Sequence, residues 1–176
     1  MKKIVKLALC AVLMMGLCIS LVACQGSDKS DEFKVGLECG YPPFNWTQTT
    51  DENGAVPIAG GKEFAGGYDV EIAKLLAEGM GKKLVIVKTS WDGLGPAVQS
   101  GSIDGIIAGM SPIADRKKTI DFSDPYYSSD LVMVVQKGSK YENATKLEDF
   151  SGAKVTAQLN TFHYTVVDQI PNVLKQ

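Results

Sequence analysis

Ala108-Gly109-Met110-Ser111-Pro112-Ile113-Ala114-Asp115-Arg116 decides how this chain is read, together with its continuation Lys117-Lys118-Thr119-Ile120-Asp121-Phe122-Ser123-Asp124-Pro125-Tyr126. Ile103 to Ala108 reads as a strand, and the small residues that follow predict a tight turn. Gly109 lets a backbone approach closely because it has no Cβ. Ser111 before Pro112 is an N-cap and first-turn pair, so a helix is expected to start here. Helix N-termini attract anions. Arg116 lies a few residues on and can return to the same anion through two parallel hydrogen bonds. Each hydrogen bond to a charged group contributes about 1.5–3 kcal/mol. Free backbone N–H groups beside one guanidinium are suited to holding a carboxylate. The plainer reading is a surface arginine that neutralises Asp115 or Asp121, and Lys117 and Lys118 read as solvated.

Short apolar strands and amphipathic helices alternate on either side of this stretch. Phe33, Val35 and Leu37 alternate, predicting a strand that ends at Glu38. Pro42-Pro43 forces an extended loop. Asp51-Glu52-Asn53-Gly54 and Gly60-Gly61 mark a turn-rich excursion. Asp69 is placed to cap a helix running to about Met80, with Val70, Ile72, Ala73, Leu75, Leu76 and Ala77 on or near its buried face. Gly81 stops that helix. Leu84 to Val87 reads as a buried strand, Gly93 to Ser100 as a short helix with Pro96 near its start, and Asp130 to Gln136 as another strand. After Gly138 the polar connector Lys140-Tyr141-Glu142-Asn143 opens a second unit. It comprises a short helix near Lys146 to Phe150, a turn at Ser151-Gly152, one strand at Lys154 to Ala157, and a helix from Asn160 or Thr161 that ends before Pro171. Such alternation implies an α/β fold with a largely parallel sheet.

The N-terminus is set apart from the fold. Lys2, Lys3 and Lys6 precede an apolar run from Leu7 to Val22, the pattern of a secretory signal peptide over residues 1–23. Leu21-Val22-Ala23-Cys24 reads as a lipobox, with Cys24 becoming a lipidated N-terminus on the extracytoplasmic face of the cell membrane. Polar residues up to Glu32 read as a tether, residues 24–32. Cys10 and Cys18 leave with the signal, so Cys39 alone remains in the folded part and no internal disulfide is expected. His163 is the single histidine, which leaves no multi-histidine metal site. Loss of the three signal lysines takes the formal charge from −2 to −5. A chain without a basic field is not a nucleic-acid partner.

In open α/β sheets ligands bind beyond the carboxyl ends of strands. Two further segments sit at such ends. Glu38-Cys39-Gly40-Tyr41-Pro42-Pro43-Phe44-Asn45-Trp46 brings a carboxylate together with three large aromatics, whose faces sandwich an aliphatic stem or attract a cation. Phe44 and Trp46 read equally well as core. Thr89-Ser90-Trp91-Asp92-Gly93 places Trp91 before a helix that Ser90 or Asp92 can cap.

Gly67-Tyr68-Asp69-Val70-Glu71, Trp91-Asp92-Gly93-Leu94 and the run ending Ile120-Asp121-Phe122-Ser123-Asp124-Pro125-Tyr126 together carry a resemblance. From Phe33 onward the chain resembles the type 3 extracellular solute-binding proteins, the polar amino-acid group that serves ABC importers. The resemblance implies a periplasmic-binding-protein-like clamp of two α/β lobes, the first nearly complete over residues 33–138 and the second partial over 139–176. It implies that Arg116, helped by Ser111, takes an α-carboxylate, and that the backbone at Ala108 and Gly109 meets an α-amino group. Glu38 matches a carboxylate facing the ligand side chain, with Tyr41 and Trp91 lining it. Gln158-Leu159-Asn160-Thr161-Phe162 matches a loop that closes with backbone N–H groups. Here Asn160 replaces a usual glycine and Phe162 a common threonine. Asn tolerates a left-handed backbone, and Phe162 is suited to an aliphatic ligand stem. His163 reads as a helix-surface residue.

A long side chain ending in a cation, as in arginine or lysine, suits these groups, and glutamine remains open. The implied partners are a polar amino acid, an ABC permease and, through the lipid, the membrane; no cofactor or metal is called for. The alternatives are a ligand-sensing module, a dehydratase-type enzyme on the same fold, or a non-functional truncated product. Cys39 beside Glu38 reads as a buried, inert thiol. The resemblance breaks off before the second lobe is complete, so the chain is expected to be a fragment or truncated product that is poorly stable from about residue 140.

Overall fold

The computed structural model describes residues 31–176. The expected signal peptide, Cys24 and all but the last two tether positions lie outside the described residues. Glu32–Leu37 forms strand β1, the centre of a three-stranded parallel sheet. It is flanked by β6 (Lys83–Lys88) and β7 (Gly105–Ile106) in the order β6-β1-β7. Val35 pairs with Ile86 on one side and Gly105 on the other. Val35 and Leu37 of β1, and Ile86 of the neighbouring β6, are wholly buried, as a parallel sheet requires when both faces are covered.

Two helices connect these strands. Helix α1 (Tyr68–Gly79) precedes β6, and α2 (Trp91–Gln99) joins β6 to β7. The buried face of α1 is Asp69, Val70, Ala73 and Ala77. Small alanines let the helix lie close to the sheet. Leu75 and Leu76, expected on that face, point outward and are exposed. Asp69 is not the cap. The N-cap is Gly67, and Asp69 lies inside the first turn. Gly67 sits at φ +123°, and a Cβ there would meet the Phe44 carbonyl oxygen at 2.3 Å. The chain turns into α1 through a gap that only glycine fits. Gly81, at φ +63°, ends the helix as expected. Helix α2 starts at Trp91, two residues before the expected position, which puts Pro96 in its interior.

A second sheet was not foreseen. Strands β2 (Gly40–Tyr41), β3 (Asn45–Gln48), β4 (Val56–Pro57) and β5 (Phe64–Gly66) pair antiparallel in the order β2-β3-β5-β4. It occupies the stretch expected to be loop and excursion. The first core joins both sheets to the helices through Leu37, Ala65, Val70, Ile86, Leu94 and Ile103.

Three expectations fail between residues 103 and 136. The strand expected over Ile103–Ala108 shrinks to Gly105–Ile106. No α-helix begins at Ser111-Pro112; a short 3-10 turn, Arg116–Lys118, follows instead. Residues 130–136 form no strand, having no ladder partner among the described residues, and Val132 and Val134 are exposed.

Beyond Gly138, Phe150, Ala153, Val155, Val167 and Ile170 make a second, smaller core. Its sheet has two strands where one was expected: β8 (Lys154–Val155) pairs parallel with β9 (Leu174–Lys175). The expected short helix is a 3-10 turn, Leu147–Phe150. Thr161 caps α3 (Phe162–Val166), which runs into a further 3-10 turn, Val167–Gln169, ahead of Pro171.

Candidate functional site

Residues after β1 and β6, the turn after β7, and the start of α3 meet around a cavity of about 260 Å³. Glu38, Tyr41, Trp91, Ala108, Gly109, Ser111, Arg116, Thr161 and Phe162 all line it. The sequence candidates, up to 124 positions apart from Glu38 to Phe162, are thus brought together. Ala157, Gln158 and His163 complete the lining. His163, expected on the helix surface, is exposed and also borders the cavity. Trp46 is elsewhere: its ring packs over Gly66 and Gly67, and its Nε1 donates to Gln48 Oε1 at 3.0 Å. Phe44 stacks behind Tyr41, centroids 5.1 Å apart.

Arg116 is half-buried, and its guanidinium lies over the Trp91 ring, 5.0 Å from the centroid. Its Nη1 donates to the Ser111 carbonyl at 3.0 Å and its Nη2 to the Asn160 carbonyl at 3.1 Å. A guanidinium has five N–H donors, so three remain without a partner among the described residues. Burial holds its pKa below the usual arginine range, yet the group stays charged at neutral pH. Glu38, the acidic residue lining the same cavity, accepts at Oε1 from Gln158 Nε2 at 3.1 Å. The cavity wall thus carries a cation with spare donors and an anion with spare acceptors.

The turn after β7 differs from the expectation of free N–H groups at one position. Gly109, at φ +59°, donates its N–H to the Tyr126 hydroxyl at 3.0 Å. That hydroxyl donates in turn to Asp69 Oδ1 at 2.7 Å, while Asn45 Nδ2 donates to Oδ2 at 2.8 Å. Asp69 is fully buried. Burial raises its pKa, and the hydrogen bonds from Tyr126 and Asn45 oppose the rise. Burial, and then the neighbouring Asp69 charge, push the Tyr126 phenol well above its ordinary value. This network was missed. Its signal was present: Asp69 falls on the same helical stripe as Ala73 and Ala77, and a buried acid demands partners.

The Thr161 hydroxyl is engaged within its own turn. The hydroxyl donates to the Gln158 carbonyl at 2.6 Å and accepts from the Tyr164 N–H at 3.2 Å. The backbone N–H groups of Ser111 and Thr161 have no partner among the described residues. Asn160 adopts φ +59°, the left-handed conformation expected of it. Cys39 is buried, and burial pushes its thiol up to about 11, far from a reactive thiolate at neutral pH.

The sequence model of the bacterial extracellular solute-binding proteins, family 3, matches residues 33–166. The chain belongs to that family. Its similarity extends to individual members. It is 31% identical over 166 residues to a probable histidine-binding protein of Campylobacter jejuni, covering 89% of this chain and 59% of that one. It is 30% identical over 157 residues to the arginine-binding extracellular protein ArtP of Bacillus subtilis, covering 85% and 55%. Among solved structures, an ancestral arginine-binding protein bound to arginine aligns with a TM-score of 0.66 at 36% identity, covering 84% of this chain and 61% of that one. The fold is therefore that of the periplasmic amino-acid-binding proteins, present in part. The chain spans less than two thirds of the length of these relatives.

Proposed function

We propose that this chain is the ligand-binding part of an extracytoplasmic receptor that takes a polar amino acid and hands it to an ABC importer, with a cationic amino acid preferred and glutamine as second choice. The observation that carries the reading is the shared cavity, where Arg116 keeps three spare donors and Glu38 a spare acceptor. Arg116, with the unpartnered N–H groups of Ser111 and Thr161, takes the α-carboxylate. The α-amino group lies at the carbonyls of Ala108 and Gly109, and Glu38 meets the far end of the ligand side chain. Tyr41, Trp91 and Phe162 enclose its aliphatic stem. Residues 33–138 supply the first lobe and 139–176 part of the second. Cys24 carries the lipid that holds the receptor at the membrane, since two acyl chains anchor stably where one is marginal.

Calorimetry with arginine, lysine, histidine and glutamine tests the reading. Saturable binding of one of them, lost in Arg116→Ala, is the expected outcome. Glu38→Gln is expected to lower the preference for a cationic ligand over glutamine by about tenfold or more, the scale of one charged hydrogen bond. No binding to any of the four, or binding indifferent to Arg116→Ala, sinks it. Loss of lipid labelling in Cys24→Ala tests the anchor.

A further inference from the structure

Asn160 fastens the turn before α3 to two walls of the cavity at once. Its side-chain Nδ2 donates to Asp92 Oδ1 at 2.9 Å. Its backbone carbonyl accepts from Trp91 Nε1 at 2.9 Å and from Arg116 Nη2 at 3.1 Å. Trp91 and Asp92 are the first two residues of α2. A single residue of the smaller core's segment thus binds a helix start and the cavity's arginine, both of the larger core's segment. Its left-handed backbone, φ +59°, is one that Asn tolerates and most residues do not. A glycine would keep the turn and the carbonyl and lose only the bond to Asp92.

We infer that Asn160 is a positioning residue of the ligand site: its side chain, held by Asp92, fixes the carbonyl that orients the Trp91 indole and the Arg116 guanidinium. The inference rests on the reading of this cavity as the ligand site. An arginine left free must lose its rotamer freedom when a ligand arrives, and one already held does not. Arg116 is held on three sides, by the Ser111 carbonyl, the Asn160 carbonyl and the Trp91 face. Only the second of these reaches across from the smaller core, and Asn160 supplies it.

The chain has two tryptophans, and Trp46 lies away from the cavity, so in a Trp46→Phe background emission reports Trp91 alone. Acrylamide quenching without any ligand then reads the Trp91 environment directly, and calorimetry with L-arginine reads the site. Asn160→Gly is expected to raise the quenching constant and to weaken L-arginine binding about tenfold, the scale of a hydrogen bond to a charged partner. Asn160→Asp sets like charges face to face and is expected to do the same. Adding Asp92→Asn to Asn160→Asp reverses donor and acceptor and restores both readings, which a general loss of stability does not predict. Unchanged quenching in both single variants, or no restoration in the paired variant, overturns the inference. Altered and restored quenching in a protein that binds none of the four amino acids leaves the positioning intact and removes the ligand reading instead.

Discussion

Asp69 places a carboxylate where water does not reach, and this gives the fold a signed dependence on pH. Its folded pKa lies above the unfolded value because burial outweighs the hydrogen bonds from Tyr126 and Asn45. The stability it contributes is therefore complete below the unfolded carboxylate pKa and is lost as pH rises through the folded one. Exposed Asp115 and Asp149 shift the other way, so the comparison must be differential. The urea midpoint of the parent minus that of Asp69→Asn is expected to fall with rising pH across that window; a flat difference contradicts the assignment. Cys39, pushed up to about 11 by burial, is expected to resist a thiol reagent at pH 8 in the folded described region and to react only on unfolding. At this scale Arg116, Glu38 and Trp91 were legible because charged and aromatic groups at strand ends have few structural reasons to cluster. The Tyr126–Asp69–Asn45 network was not, because its members come from β3, α1 and the loop after the Arg116–Lys118 turn and meet only in the fold.

Elements with a clear period were found, and those defined by a partner were not. Helix α1 and strands β1 and β6 follow from apolar spacing in the chain. Residues 130–136 have the apolar content of a strand, yet a strand exists only where a neighbour accepts its hydrogen bonds. The amides of 130–136 are accordingly expected to exchange with deuterium rapidly while those of β1 and β6 stay protected; equal protection refutes the assignment. Ser111-Pro112 likewise resembled a helix start. The following residues instead make a 3-10 turn whose Arg116 points its guanidinium back to the Ser111 carbonyl. The antiparallel strands β2 to β5 escaped notice because they are two to four residues long, below the length at which alternation is readable.

At the scale of the whole molecule, the described residues form two cores of unequal size that share one cavity wall. The larger unites both of its sheets with α1 and α2, while the smaller rests on five buried residues and two two-residue strands. A two-stranded sheet is marginal in water. Limited proteolysis is expected to cut beyond Gly138 before it cuts within 33–127; full resistance of the later segment would contradict this. The parallel-sheet class was legible from the chain because β1 and β6 are each six residues long with readable apolar spacing, whereas the second strand of the smaller sheet is two residues long and lies at the very end of the described residues. Gly67 carries a consequence for how such a molecule drifts over generations. Every codon change that replaces it adds a Cβ beside the Phe44 carbonyl. In a saturation library sorted for folded protein, position 67 should therefore fall silent to all replacements. Positions 79 and 95, where an added Cβ meets nothing within 4 Å, should accept alanine freely.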